Sequence, residues 1–367
     1  MKVLHLIQKS QLRGAEIFAS QLASHLNDSG NKSIIVSLFA GDAELPFEGK
    51  ITSLNGNQGG RLHDFTAWKK LSQIIKDEKP DIIQANAGDT LKYAVFSKII
   101  YRWKQPIIFR NASTISLYIK TWAQKKWNNF LFGFTDKIIS VSNNSAIDFA
   151  KLFPQFKHKI ITIPIGIEHL ELSKELNGTS HERYRLNGEG PVIIHVGGFT
   201  FEKNHSGLIE IFEIVSKQVP AAKLYFVGDG PMKPQIEEIV KIKALDSKVK
   251  FCGFQKNALK YIRGADVLIL PSIIEGLPGV ILEAFYCKIP VVAYDVGGIK
   301  EILINNKTGR LIQKGDEKAF AKGILEALQS NAHNKNLIEN AHSLVTSQYL
   351  NSQIANQFLH IYRSVAS

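Results

Sequence analysis

Apolar residues run continuously rather than alternately through a series of short stretches: KVLHLI (2–7), KSIIVSLF (32–39), DIIQAN (81–86), PIIFRN (106–111), KIISVS (137–142) and KIITIP (159–164). Segments with helical spacing, such as 15–28 and 65–78, lie between them. The alternation then restarts. PVIIHVGG (191–198), KLYFVGDG (223–230), KVKFCGF (248–254), DVLILPS (266–272) and PVVAYDVGG (290–298) form a second series, with helices expected near 205–218, 232–245 and 280–287. Strands that are apolar on both faces and joined by helices belong to parallel sheets covered on both sides, so the pattern predicts two doubly wound α/β domains. Apolar periodicity is lost near 165–190, where Gly, Asn and charged residues take over, and the domain boundary is expected there. A helical end over 335–366 has no strand after it.

Length agrees with this division, since 367 residues exceed one ordinary core and suit two. With 44% hydrophobic and 21% charged residues the chain is expected to fold as a soluble protein, not a disordered one. Cys252 and Cys287 fit neither a disulfide framework nor a metal-ligand spacing, so a reducing cytoplasm and no bound metal are expected. The apolar start MKVLHLIQ is too short for a signal segment, and no run of about 18 apolar residues occurs. Charge changes the picture more. Residues 1–166 carry 22 Lys+Arg against 12 Asp+Glu, and residues 167–367 carry 23 against 21, so nearly all of the net +12 sits in the first half. Residues 90–135 hold eight basic side chains and no acid, which points to an anionic partner: nucleic acid, a phosphorylated substrate or a membrane surface.

In open parallel sheets ligands bind beyond the carboxyl ends of the strands, so candidate chemistry is sought there. In SQLRGAE (10–16), Gly14 permits close backbone approach at a helix N-terminus that favours an anion; an ordinary turn with Glu16 complementing the dipole is the alternative. In HVGGFTFEKNH (195–205), Gly197 and Gly198 precede a turn and Lys203 stands where a phosphate could meet it, or it is a solvated lysine. VGDGP (227–231) is read as a tight turn, with Asp229 capping the helix after it. PSIIEGLPGVILEAFYCKIPVVAYDVGG (271–298) is the most specific. It places Glu275 in a loop with Gly276, Pro278 and Gly279, and Glu283 about one turn into the following helix. Two acids flanking a helix N-terminus suit a ligand with sugars on either side of a diphosphate: the acids accept from hydroxyls and the helix end takes the phosphate. As structural alternatives, Glu275 is a cap and Glu283 a solvated helix residue.

EGLPGVILEA (275–284), preceded by VGGFTFEKN (196–204) and FVGDGP (226–231) in this order, resembles glycosyltransferase family 4, and RGAE (13–16) and PIGIE (164–168) extend the likeness over essentially the whole chain. The resemblance implies the GT-B fold, two Rossmann-like doubly wound domains facing a central cleft. The first would be an acceptor-side domain over 1–168, the second a nucleotide-sugar-binding domain over 169–345, with a C-terminal helical segment at 346–367 packing back on the first. It further implies a retaining, metal-independent transferase that needs no cofactor beyond its UDP- or GDP-sugar donor. Glu283 would hold the ribose hydroxyls and Glu275 the donor sugar. Backbone amides near Gly276, Leu277, Gly279 and Val280 would meet the sugar and diphosphate, Lys203 the diphosphate, and the turn ending at Phe254 the base.

Departures from the family pattern are equally specific. Where its phosphate loop usually has Arg, this chain has Gly198, leaving Lys203, with Arg13, to meet the charge. Where many members have a sugar-facing His, this chain has Arg110 and Asn111, and Asn111 can bond a hydroxyl but cannot titrate. Asn86 stands at another position where His is common. The implied acceptor is a glycan or lipid-linked hydroxyl in bacterial surface polysaccharide assembly. Residues 98–132 interleave lysines with Tyr101, Trp103, Tyr118, Trp122, Trp127 and Phe130, which predicts a cytoplasmic protein held at the anionic inner face of the plasma membrane. Nucleic acid is disfavoured, since no recognised binding motif occurs. A dinucleotide oxidoreductase fails for want of a Gly-x-Gly-x-x-Gly after any strand. A nucleotide-sugar 2-epimerase of the same fold and a non-enzymatic binder of anionic polymers remain as alternatives.

Overall fold

The computed structural model describes residues 1–60, 63–169 and 190–366. Most of the boundary expected near 165–190 lies outside them. The chain forms two compact units, Met1–Glu168 with Leu350–Ser367, and His169–Tyr349.

The first unit has seven strands, β1 (Lys2–Lys9), β2 (Lys32–Phe39), β3 (Ile51–Ser53), β4 (Ile82–Ala85), β5 (Ile107–Asn111), β6 (Lys137–Ser140) and β7 (Ile160–Thr162). They form one sheet in the order β3-β2-β1-β4-β5-β6-β7. Every pairing is parallel. Its helices are α1 (Gly14–Asp28), α2 (Phe65–Glu78), α3 (Gly88–Tyr101), α4 (Trp122–Gly133) and α5 (Asn143–Leu152). Successive residues of β1 serve opposite faces, as the pleat dictates. Val3 packs with Phe18, Leu22 and Ile108, whereas Leu4 and Leu6 pack with Trp68, Leu71 and Tyr93. This is why the strands read as unbroken apolar runs.

The second unit has β8 (Val192–Val196), β9 (Lys223–Val227), β10 (Val249–Phe251), β11 (Val267–Leu270), β12 (Val291–Tyr294) and β13 (Arg310–Ile312) in the order β10-β9-β8-β11-β12-β13, again all parallel. Around it lie α6 (His205–Gln218), α7 (Lys233–Ile242), α8 (Ala258–Arg263), α9 (Gly279–Tyr286), α10 (Glu317–Ala327) and α11 (Ala332–Gln348). The order in which strands are added reverses between β8 and β11, and this switch point is where such sheets open a crevice at their carboxyl ends.

The single helical end expected over 335–366 is two helices, α11 and α12 (Asn351–Ala366). Between them Leu350 bridges Ile167 in parallel, and the Asn351 N–H donates to the Ile167 carbonyl at 2.8 Å. From there α12 buries Ile354, Phe358 and Tyr362 against Val3, Ile82 and Ile139 of the first unit's sheet.

Candidate active site

Three loops at the carboxyl ends of β8, β9 and β10 are laced together by their own backbone. The Gly197 N–H donates to Val227 O at 3.0 Å, Phe199 N–H to Asp229 O at 3.0 Å, and Gly228 N–H to Gly253 O at 2.9 Å. Gly228 must be glycine. Its φ is +146°, and a Cβ there would sit 2.0 Å from Gly197 O. Asp229 accepts from the Gly230 N–H at 2.8 Å, four residues before α7 begins, so it holds the turn and does not cap the helix.

On the other side of the switch point, the loop after β11 carries Glu275. Lys203, in a 3-10 turn at Phe201–Lys203, donates from Nζ to Glu275 Oε1 at 2.6 Å. The Glu275 side chain is only 9% exposed, so this pair is shielded and stronger than a surface ion pair. Two more bonds fasten the loops: Ile273 N–H to Glu202 O at 2.8 Å and Asn204 Nδ2 to Pro271 O at 3.1 Å. From the β12 side, the Gly298 N–H donates to Gly276 O at 2.8 Å. Gly297, at φ +57°, lies so close to the acid's backbone that a Cβ would fall 1.9 Å from Glu275 O. Gly297→Ala is therefore expected to push the Glu275 loop outward, lowering stability by about 1–3 kcal/mol and activity with it; denaturant titration and turnover assays check this.

Helix α9 starts at Gly279 behind Pro278, and no side chain caps it. Its first N–H groups, of Gly279 and Val280, thus present the positive end of the helix without an internal anion. Leu277, beside them, is buried. One turn on, Glu283 is partly buried, and burial pushes its carboxyl up to about 7. Phe254, which follows Gly253, is an exposed ring. Gly197, Gly198, Lys203, Glu275, Gly276, Gly279 and Val280 therefore lie at the carboxyl end of one sheet, on its turns and at the start of α9.

In the first unit, Gly14 opens α1 and Arg13 is an exposed, extended N-cap residue that makes no side-chain cap. Glu16, one turn in, is buried and accepts from Gln11 Nε2 at 2.8 Å, with burial raising its carboxyl above the usual range. Asn111 is not displayed for a ligand. It is buried, and its amide donates to Ser140 Oγ at 3.3 Å. Asn86 is likewise turned inward, donating to Leu6 O at 3.1 Å and accepting from Gln84. Arg110 is buried with its guanidinium over the Phe18 ring, which brings it down to about 10 by desolvation. A strand covered on both faces gives no sign of whether a polar residue in it or just past its end is turned to a ligand or to the interior, so these three were legible as residues but not as orientations.

Sequence reasoning also missed two residues near the Lys203 pair. Lys314 reaches Ile273 O at 3.3 Å from the carboxyl end of β13. His195, in the middle of an apolar strand, makes a buried contact with His205. Neither belongs to a recognisable motif.

Two all-parallel sheets ordered outward from a central switch point, the second with an acid, a lysine and an uncapped helix at its carboxyl end, define the paired Rossmann-like architecture of the GT-B fold. Residues 12–169 match the family described as Glycosyltransferase Family 4, and residues 177–344 match Glycosyl transferases group 1. The chain belongs to glycosyltransferase family 4. It is 30% identical over 184 residues to the N-acetyl-alpha-D-glucosaminyl L-malate synthase of Bacillus anthracis, a match covering 50% of this chain and 48% of that protein. The chain thus spans about half the length of that relative. It is 26% identical over 353 residues to an alpha-1,4-N-acetyl-D-galactosaminyltransferase of Campylobacter jejuni whose name specifies a diNAcBac-PP-undecaprenol-linked glycan; that match covers 93% of this chain and 92% of the relative. Among solved structures, Anabaena Alr3699/HepE in complex with UDP and glucose superposes with a TM-score of 0.82 at 20% identity over 99% of this chain and 100% of that one, a likeness of fold.

Proposed function

We propose that the protein is a retaining glycosyltransferase that moves a sugar from a UDP- or GDP-sugar to a hydroxyl of a glycan or lipid-linked acceptor in surface polysaccharide assembly. The observation that carries this reading is the Lys203–Glu275 pair at the switch point of the second sheet, beside the uncapped start of α9. A donor entering there exchanges the internal ion pair for two useful contacts. The ammonium and the α9 amides meet the diphosphate, and the Glu275 carboxylate accepts from the sugar hydroxyls. The leaving diphosphate oxygen takes the proton of the acceptor hydroxyl on the same face, so no protein nucleophile is needed and the anomeric configuration is kept. Charge growing on the leaving group is what Lys203 and the helix terminus stabilise, without a metal. Glu283 serves the ribose and Phe254 the base. In the first unit, Arg13 and Gly14 at the start of α1 offer an anion contact of their own.

The test is release of nucleoside diphosphate from a panel of UDP- and GDP-sugars, with and without EDTA, followed by assignment of the product anomer. No release from any donor, an inverted product, or loss of activity in EDTA would each remove part of the proposal.

Membrane placement rests on the first unit. Trp122 is 74% exposed at the start of α4, with Lys126 over its ring at 4.9 Å, and Lys120 and Lys125 are exposed beside it. Leu117, Tyr118, Phe130, Ile99 and Ile100 add exposed apolar surface. Trp103 and Trp127, by contrast, pack against the core. Among the described residues no helix is long and apolar enough to cross a membrane. Each of the lysines would gain about 1 kcal/mol near anionic lipid, and the aromatic rings suit the headgroup boundary. The protein is expected to pellet with anionic but not neutral liposomes and to be released by salt. Reversing Lys120, Lys125 and Lys126 to Glu should abolish pelleting and spare donor hydrolysis; equal binding to neutral vesicles, or none to either, would refute this placement.

A further inference from the structure

His195 sits fully buried in β8, on the strand that ends in the Gly197 turn. The ladder between β8 and β11 pairs Ile193 with Val267 and Ile194 with Leu268 and goes no further. At the next step the imidazole replaces the backbone: His195 Nδ1–H donates to Ile269 O at 3.0 Å. The ring therefore ties together the two strands that carry Lys203 and Glu275, at the place where they part. That bond assigns the proton to Nδ1 and leaves a lone pair on Nε2, which has no partner among the described residues.

The surroundings of the ring are closely built. A Cβ placed on Gly197 would lie 3.2 Å from His195 Nε2 and 3.4 Å from Cδ and Cε of Lys203, so the ring and the lysine stem both border the space that the missing side chain leaves open. His205, at the start of α6, meets His195 edge-on at 4.8 Å and stacks flat on Phe199 at 4.1 Å. Phe226 of β9 closes another side at 6.0 Å. The charged and titratable groups acting on the ring are His205 from α6 and Lys203 from the turn. Burial together with these two holds His195 well below the ordinary histidine range, and burial with Lys203 brings His205 down to about 4. Both rings are neutral at physiological pH, as a site beside a partly shielded ammonium requires.

We propose that His195 is a positioning residue for Lys203: the ring, hung from Ile269 O and braced by His205, is the floor of the space beside Gly197 that the lysine stem also borders, and so sets where the ammonium meets a diphosphate. This rests on the reading of Lys203 as the diphosphate contact. A lysine has four rotatable bonds, and without a fixed floor its head group is spread over many positions.

The experiment compares the affinities of a nucleoside diphosphate and its monophosphate, UDP with UMP and GDP with GMP, by calorimetry. His195→Phe keeps the ring volume and is expected to lower the diphosphate-to-monophosphate affinity ratio about tenfold while monophosphate affinity changes by less than about twofold. His195→Asn retains a donor toward Ile269 O and should keep the ratio within about threefold of the wild type. In a Lys203→Ala background, His195→Phe should have no further effect, because the two act as one unit. Equal losses for both nucleotides, or a full additional loss on top of Lys203→Ala, would overturn the proposal. Should the Phe variant not fold, nitrogen NMR of the wild type decides. The neutral Nδ1–H tautomer is expected to persist well below the ordinary histidine range and the Nε2 signal to move with diphosphate but not with monophosphate, whereas a ring that titrates in the ordinary histidine range or responds to neither overturns it. Failure of the underlying donor-site reading looks different: Lys203→Ala itself would leave the ratio unchanged.

Discussion

Lys203→Ala is expected to reduce turnover by about 10²-fold or more, the scale on which a single group that stabilises transition-state charge is lost. The magnitude follows from how few cations the loop has. Gly198 stands where family members usually offer an arginine, and the ammonium of Lys203 already lies 2.6 Å from the acid beside it, on the rim where the diphosphate would leave. The structure also supplies the reverse experiment. A Cβ at Gly198 would meet only Asp229 O at 3.6 Å and Thr200 Cγ2 at 3.9 Å, both ordinary contacts, and no positive φ forbids a side chain there. Gly198→Arg is therefore expected to fold normally and, combined with Lys203→Ala, to recover roughly tenfold of the lost turnover. Measured kcat for the two single variants and the double variant checks both statements. Near-normal turnover in Lys203→Ala would count against the mechanism, and an arginine that rescues nothing would show that the open space does not face the leaving group.

What the amino-acid pattern revealed depended on how fully each element is buried. The central strands β1, β4, β8 and β11 are covered on both faces, and their runs of Val, Ile and Leu announce a parallel sheet. The edge strands β3 and β13 have three residues each and include part-exposed positions, so neither has an apolar run to betray it. Lys203 and Glu275 were each visible as residues after a strand. Their pairing was not, because residues so far apart in sequence meet only when β8 lies next to β11. Orientation was the least legible property. Asn111 occupies a suggestive position, yet its amide faces Ser140 inside the domain. His195 follows three buried apolar residues in its strand, where nothing local distinguishes a positioning group from core. The division of the C-terminal helices at Leu350 arises from a tertiary bridge to Ile167, which no helical signal encodes.

Glu283→Gln is expected to move stability and nucleotide affinity in opposite directions. In the folded chain the carboxyl is raised from 4.5 to about 7, so the fold favours its protonated form. That contribution is complete below the unfolded value of 4.5 and is lost as pH rises through about 7, where the partly buried group must ionise. At pH 8 the ionised acid therefore strains the free protein, and after allowance for its residual exposure the cost is roughly 1–2 kcal/mol. Glutamine has no charge to desolvate. The variant should melt higher than wild type at pH 8, by about 2–4 °C per kcal/mol, and the difference should vanish below the unfolded value of 4.5. On the proposed reading nucleotide binding reverses the preference, because ribose hydroxyls would donate to the ionised carboxylate. Affinity of the wild type for nucleoside diphosphate should rise as pH increases through 7, and Glu283→Gln should abolish that rise and weaken binding by about 1.5–3 kcal/mol, roughly 10- to 150-fold. Glu275→Gln gives the contrast. Its acid is paired with Lys203 and, on the proposed reading, meets the donor sugar, so the change should lower kcat while leaving nucleoside diphosphate affinity nearly intact. Calorimetry across pH 6–8 with both variants, together with their melting curves, decides the matter. If the two substitutions weaken nucleotide binding alike, or if Glu283→Gln fails to stabilise the free protein at pH 8, the two acids do not divide the donor between them.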